Sequence, residues 1–447
     1  MRATLLAAAL VAATLQPTYA ADAVITAAGN AFAPSNVTVT QGSRLTFANA
    51  DAAPHNVVAD DTTNNGALFR SAVATTGQSA DVKGVDKLKA GTYPFYCSLH
   101  PSMRGVLTVT GGTPTTFAPT PTGGNVPTPT ALTVHKNAVY VTSYGAGTVM
   151  RLPILPGGAL GPATPYATGF DSPLGLAFGP DGTLYVADSH DGPTRRLGRV
   201  TAVKPNGTKT TVVDGLPNGR HNTNNLAVHR GRLYVTNGNS TDDGVTGGDP
   251  EAPLSGTLLS YKLPVSLKSR PTVEAKGLRN AYDVAFRPGT NEAWFPTNGP
   301  DALDPWGEDL LHRTDVTKGT ADYGFPACVY KSSGAKPVGP AQSPVYTSRK
   351  CRPNAKPVLA LGLHVSANGV AFGPGGAWGN DLYIAEYGSN SPSAQGHRVV
   401  RVPITRIGPQ APQDVMTSAA PLDLAFGPDG LYVADFATGA ITLVRAL

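Results

Sequence analysis

Tyr93-Pro94-Phe95-Tyr96-Cys97-Ser98-Leu99-His100-Pro101-Ser102-Met103 gathers a thiolate, an imidazole and a thioether at the end of an apolar run. These are ligands for a soft metal, and the three-residue steps from Cys97 to His100 to Met103 let one tight loop wrap round an ion. A fourth ligand is needed, and Pro54-His55-Asn56-Val57-Val58 offers an imidazole at the head of another strand-like run. Two imidazoles and a thiolate in a plane, with a weak axial thioether, make the geometry of blue copper electron-transfer sites. His55, Cys97, His100 and Met103 are therefore the expected copper ligands. The competing account, a buried free thiol beside a surface histidine and a core methionine, leaves the ligand spacing unexplained.

Asn30-Ala31-Phe32-Ala33-Pro34, Val37-Thr38-Val39, Gly42, Leu45-Thr46-Phe47, Asn49 and Asp51 lead up to His55. Together with the loop from Cys97 to Met103 they resemble the small cupredoxins of the plastocyanin and amicyanin type, and the loop spacing is most similar to that of amicyanin. The resemblance spans residues 21–110. It implies a Greek-key β-sandwich, one type 1 copper, and one-electron transfer to a redox partner protein or a small-molecule acceptor.

At the start of the chain, Met1-Arg2 precedes an apolar run from Ala3 to Leu15 that closes on Thr18-Tyr19-Ala20. Residues 1–20 thus read as a secretory signal peptide, too short for a membrane span. No later stretch is apolar enough to cross a bilayer, so a secreted or periplasmic protein is expected. That compartment favours disulfides; with Cys97 given to the metal, Cys328 and Cys351 are the expected pair. Of 447 residues only 15% are charged, while 51 are Gly and 40 are Pro. Few charges and many turn formers point to short strands joined by tight turns, an all-β chain of two or three domains. The net charge is +5, but the only adjacent arginines are Arg195-Arg196, and nucleic-acid binding needs a clustered basic face.

Residues 111–127 are rich in Pro, Thr and Gly, the composition of a linker. Beyond them the sequence repeats. Six times an apolar triplet is followed, after a turn, by a second apolar run. Leu132-Thr133-Val134 with Val139-Tyr140-Val141 opens the series, and Leu424-Ala425-Phe426 with Leu431-Tyr432-Val433 closes it; the triplets between start at Leu176, Leu226, Val284 and Val370. That spacing suits four-stranded blades with insertions, and six blades closing a ring hide their strand edges. Residues 128–447 are expected to form a six-bladed β-propeller. The sequence stops one strand short of a full last blade, and residues near Phe117 are the expected donor of that strand.

In such a ring, the residues just before each triplet and just after each second run crowd one mouth of the central channel. They are Asp171, Asp188, His190, His221, Asn225, Asn237, Arg279, Asn280, Asn298, Asp301, His364, Glu386, Tyr387 and Asp435. Loops collect polar residues in any protein, so chemistry has to come from a sharper signal.

That signal lies in Gly219-Arg220-His221-Asn222-Thr223-Asn224-Asn225-Leu226, in Leu278-Arg279-Asn280-Ala281-Tyr282-Asp283, in Asn298-Gly299-Pro300 with Glu308-Asp309-Leu310 and Tyr323-Gly324-Phe325-Pro326, and in His364-Val365-Ser366-Ala367. These segments resemble the soluble pyrroloquinoline-quinone (PQQ) glucose and sorbosone dehydrogenases, over residues 128–447. The resemblance implies that His221 is the base taking a sugar hydroxyl proton as hydride leaves. It implies that Arg279 and Asn280 contact the quinone carbonyls, where negative charge develops. It also implies a calcium site made by Gly299, Pro300 and Asp309 or Glu308, oxygen ligands that suit the ion. Three departures stand out: Arg220 replaces an aspartate, Ala419-Ala420-Pro421-Leu422 replaces a cofactor-clamping arginine, and no lysine lies around Glu386-Tyr387-Gly388.

Two function classes follow. In one, an exported dehydrogenase oxidises a sugar or polyol and passes electrons to its own copper domain. In the other, the propeller is a non-catalytic scaffold that binds a ligand or partner for a copper electron carrier.

Overall fold

A computed structural model describes residues 23–40, 45–60, 68–85, 88, 91–110, 117–193, 196–244, 251–301, 308–331, 336–338, 351–389, 395–405 and 408–447. The segment read from the sequence as a signal peptide, residues 1–20, lies outside them. The chain divides into two compact units, the first made of Met1–Pro114 with Thr405–Ile407 and the second of Thr115–Ile404 with Gly408–Leu447.

The first unit is a sandwich of two four-stranded sheets. One holds β1 (Ala23–Ala28), β2 (Ala31–Ala33), β4 (Leu45–Asn49) and β6 (Ser79–Asp81), in the order β2-β1-β4-β6. The other holds β3 (Asn36–Thr40), β5 (Val58–Ala59), β7 (Gly91–Cys97) and β8 (His100–Thr110), in the order β3-β8-β7-β5. Alternation decides which face turns inward: Leu45, Phe47 and Asn49 on β4 are buried, and so are Phe95 and Cys97 on β7. Phe32 packs edge-on to both Phe47 and Phe95 in the resulting core. Gly105 lets β8 lie against it, since an added Cβ would sit 2.2 Å from Phe95 Cζ. This is the Greek-key cupredoxin sandwich.

The second unit is a six-bladed β-propeller. Each blade is a sheet built outward from an inner strand, beginning at Pro129–His135, Gly175–Phe178, Thr223–His229, Asn280–Ala281 with Ala285–Phe286, Ala367–Phe372 and Pro421–Gly427. The inner strands carry the apolar triplets of the repeat. In the last blade, Ala440–Ala446 pairs with β9 (Phe117–Asn125), Ala446 opposite Phe117 and Ala440 opposite Asn125. The stretch read as a linker therefore holds the outer strand of the last blade over residues 117–125. Composition misled because Pro119 and Pro121 lack the N–H of a central strand, whereas an edge strand tolerates that loss. Phe117 also packs on Trp378 and Tyr383 of the preceding blade. Cys328 is disulfide-bonded to Cys351, with Cα atoms 5.1 Å apart.

Candidate functional sites

In the first unit, β7 ends at Cys97 and a tight turn brings His100 opposite it in the ladder. His55 comes from a separate segment, fixed by paired backbone hydrogen bonds with Ala74, 3.1 Å and 2.9 Å long. Asn56 then ties the two segments together: its Oδ1 accepts the Ser98 N–H at 2.9 Å and its Nδ2 donates to Ser98 Oγ at 2.9 Å. Cys97 Sγ consequently lies 3.7 Å from His55 Nδ1 and 3.8 Å from His100 Nδ1. Metal bonds of about 2.0 Å to nitrogen and about 2.3 Å to sulfur, at trigonal angles, give sulfur–nitrogen separations of about 3.7 Å. The donor set thus fits a copper ion without rearrangement. Met103 is buried in the same core cluster as Cys97. His55 and Cys97 are fully buried and His100 is half-buried, so among the three close ligands only His100 reaches the edge of the unit. Among the described residues this is the only place where three His, Cys, Asp or Glu side chains converge closely enough for a metal.

In the propeller, a cavity of about 430 Å³ is lined by His221, Arg279, Asn280, Asn298, Gly299, Asp301, Asp309, His364 and Tyr387, among others. His221 Nδ1 lies 2.8 Å from Asn239 Oδ1. The Asn239 amide cannot turn over, because its Nδ2 donates to Thr241 O and, at 3.0 Å, to Glu251 Oε1. Nδ1 must therefore be the protonated nitrogen, which leaves the Nε2 lone pair free to accept a proton. Burial first, and then the Arg279 charge, push the His221 pKa down to about 3. Gly238 makes room behind this pair, since an added Cβ would lie 2.4 Å from His221 Cβ and 2.8 Å from Asn280 Oδ1.

Arg279 is less free. Its Nε donates to Asp242 O at 2.9 Å, one terminal nitrogen donates to Asn298 O at 3.2 Å, and the other is bonded to the Asp242 carboxylate. Arg220 stands beside it and reaches Asp301 at 2.6 Å and Asp242 at 3.3 Å. Two arginines thus face two aspartates. Asn280 is also engaged, accepting from Asn224 at 2.8 Å and donating to Asn298 Oδ1 at 2.9 Å. His364, whose Nδ1 lies 3.7 Å from Asp301 Oδ1, and Ser366 adopt left-handed φ angles of 51° and 50°. Such strained residues cluster at ligand clamps.

The two carboxylates expected as alternatives for calcium, Asp309 and Glu308, face different cavities. Asp309 accepts the Gly299 N–H at 2.9 Å and the Ala367 N–H at 2.8 Å, so the peptide presents it with donors. Burial raises the Asp309 pKa to about 6, against those hydrogen bonds. Glu308 instead faces a separate cavity of about 40 Å³ that Gly299 and Pro300 also line and Asp309 does not, because adjacent residues of a strand point to opposite faces.

Of the other mouth residues, Asn225 lines a different cavity, of about 520 Å³, with Asp283 and Asp423. Asp188 is clamped by Arg199, His190 pairs with Asp214, and Glu386 pairs with Arg398. Asp435 accepts the Ala420 and Thr438 N–H groups. These groups fasten blades rather than line the His221 cavity. Thr130, Tyr144, Ser389 and Phe436 line the His221 cavity and were missed, while Tyr282 and Ser366, which also line it, stood within the quoted motifs without a role. The positional rule reaches Tyr144 and Phe436 when carried a few residues past the first and last second runs.

A family described as cupredoxin-like domain matches residues 2–109, and one described as TrAA12-like matches residues 173–425, more than half of the chain. The chain belongs to the TrAA12-like family, with a cupredoxin domain at its N-terminus. The cupredoxin part is 35% identical over 86 residues to plastocyanins of Cucumis sativus and Sambucus nigra, covering 18% of this chain and 87% of each plastocyanin. The TrAA12-like part superposes on a putative oxidoreductase (glucose dehydrogenase) from Thermus thermophilus at 19% identity and a TM-score of 0.53, over 74% of this chain and 100% of that one. The PQQ-bound aldose sugar dehydrogenase of Streptomyces coelicolor gives 18% identity and 0.50, over 74% and 99%. At these identities the TrAA12-like chain shares their fold.

Proposed function

We propose that this protein is an exported oxidoreductase whose propeller oxidises a sugar or polyol in a PQQ-dependent manner and whose electrons leave singly through the His55, Cys97, His100 and Met103 copper site. The observation that carries the reading is His221: a neutral imidazole of fixed tautomer, beside Arg279 and Asn280 in a cavity of ligand size. The fold shared with a PQQ-bound aldose dehydrogenase supports the choice of cofactor.

The residues fit one end of that cofactor. Arg279 and Asn280 would hold its quinone edge with the N–H groups their other bonds leave free, while its carboxylates would meet the hydroxyls of Tyr144, Ser366 and Tyr387 rather than cations. When bound, the quinone supplies the hydride acceptor. His221 Nε2 accepts the substrate hydroxyl proton, and Arg279 stabilises the oxygen on which negative charge develops. No step is assigned to calcium: of the ligands expected for it, Glu308 with Gly299 and Pro300 lines the neighbouring cavity rather than the one that holds His221. Among the described residues no helix is long and apolar enough to cross a membrane.

Arg279's pairing with Asp242 favours the second reading, a scaffold that binds a ligand without turnover. Adding PQQ to the purified, copper-loaded protein and screening aldoses and polyols separates the two. Substrate-dependent bleaching of the blue colour supports the dehydrogenase; no bound quinone and no bleaching across the panel rejects it.

A further inference from the structure

We propose that Asp51 is a positioning residue for the copper centre, acting through His55 to hold the imidazole in register and to lower the reduction potential. The proposal rests on the copper reading of the His55, Cys97 and His100 set.

The ring of His55 turns Nδ1 toward Cys97 Sγ, which leaves Nε2 on the far side as the N–H nitrogen. That atom is fully buried and makes no hydrogen bond among the described residues. What faces it is the Asp51 carboxylate, with Oδ2 at 3.1 Å, in ion-pair range though off the line of a good hydrogen bond. Asp51 is itself pinned. Its Oδ1 accepts the Gly29 N–H at 2.5 Å and its Oδ2 the Asn30 N–H at 2.9 Å. The turn offers both amides because Gly29 and Asn30 take left-handed φ angles of 63° and 56°. Asp51's own backbone is held as well, its N–H by Asn49 Oδ1 at 2.9 Å and its carbonyl by Thr76 Oγ1 at 2.8 Å. The carboxylate therefore stays where it is when copper changes oxidation state.

Two consequences follow from general chemistry. A fixed carboxylate behind a ligating imidazole orients the ring and raises its basicity. A negative charge near the metal also favours the more positive oxidation state, so it stabilises the cupric form and lowers the potential. The charge is only 15% exposed at the side chain, and a pair so placed is screened less than one at the surface.

The test uses the full chain loaded with copper, comparing Asp51→Asn and Asp51→Glu with wild type. Asp51→Asn should stay blue, bind copper about 10–100-fold more weakly and show a raised midpoint potential by redox titration, whereas Asp51→Glu, which keeps the charge, should restore most of the shift. Should Asp51→Asn fail to fold, Asp51→Ser removes the charge while keeping an acceptor for the Gly29 and Asn30 amides. A merely structural role would lower the melting temperature of the apoprotein and leave the potential of the loaded variant where it was; that result overturns the proposal. A wild-type protein that takes up no copper overturns the copper reading itself, and this inference with it.

Discussion

His221 owes its protonation state to its surroundings: burial and the Arg279 charge hold its pKa at about 3, and Asn239 decides which nitrogen keeps the proton. A general base must be unprotonated to work, so this histidine stays competent where one with the ordinary value of about 6.5 would have lost activity. Single-turnover reduction of added PQQ by substrate should therefore show no loss near that ordinary histidine value. An acid limb centred there would mean that His221 is not the base. Gly238→Ala should slow the same step, because the new methyl would displace His221 and Asn280 together. His221, Arg279 and Asn280 were legible in the sequence, since each sits beside an apolar triplet and within a motif. Gly238 was not, because a glycine that makes room announces itself only once its neighbours are placed. Nor was the pairing of Arg279 with Asp242, which lies 37 residues away in sequence.

Among the elements, the inner strands carry a cost that depends on pH. Asp423 is buried on one of them and Asp283 in the break between Asn280–Ala281 and Ala285–Phe286, with amide donors and no cation in hydrogen-bond contact among the described residues: Asp283 accepts the Val370 N–H, and Asp423 accepts those of Leu132 and Leu424. Burial, the largest effect on both, raises the Asp423 pKa to about 7 and that of Asp283 well above its ordinary value, the Asp423 charge adding to the latter. A carboxyl whose folded pKa is raised contributes stability below its unfolded pKa of about 3.9 and loses it as pH rises through the folded value. Between about pH 4 and about 7 these acids tilt the propeller's melting temperature downward, against His221 and His312, whose lowered pKa values tilt it upward; Asp423→Asn should therefore make the melting temperature rise more, or fall less, with pH than in wild type, and an equal slope in the variant would remove Asp423 as a contributor. The closing blade makes a second prediction. Deleting residues 440–447 strips the partner from both Gly430–Asp435 and β9, leaving unpaired edges, so the truncated chain should aggregate, and a soluble monomer would refute closure by these strands. The six inner strands were legible because apolar triplets repeat. The β9 strand was hidden by its prolines, although the missing strand of the last blade pointed to Phe117.

For the whole molecule, the question is whether the two units share electrons. Oxidising a sugar hydroxyl releases two electrons together, whereas a type 1 copper takes one at a time, so a coupled enzyme must reduce its copper in two successive steps or reoxidise it between them. The chemistry divides cleanly between residues of the two units, and each half has its own optical signal. His221→Ala removes the proposed base; loss of a general base typically costs about 10²–10⁴ in rate, while the blue colour should be untouched because its ligands lie in the first unit. Cys97→Ser removes the thiolate, so the colour should vanish, yet the propeller of that variant should still reduce bound quinone in a single turnover. What it should lose is delivery to an external acceptor that draws only from copper. Mixing the two variants tests whether the relay runs within one chain. If electrons pass only inside a molecule, the mixture stays inactive toward that acceptor; if the propeller of one molecule supplies the copper of another, activity returns and rises with protein concentration. Wild-type copper that stays oxidised while bound quinone is fully reduced by substrate would break the coupling altogether, leaving an enzyme and an electron carrier joined only by the chain.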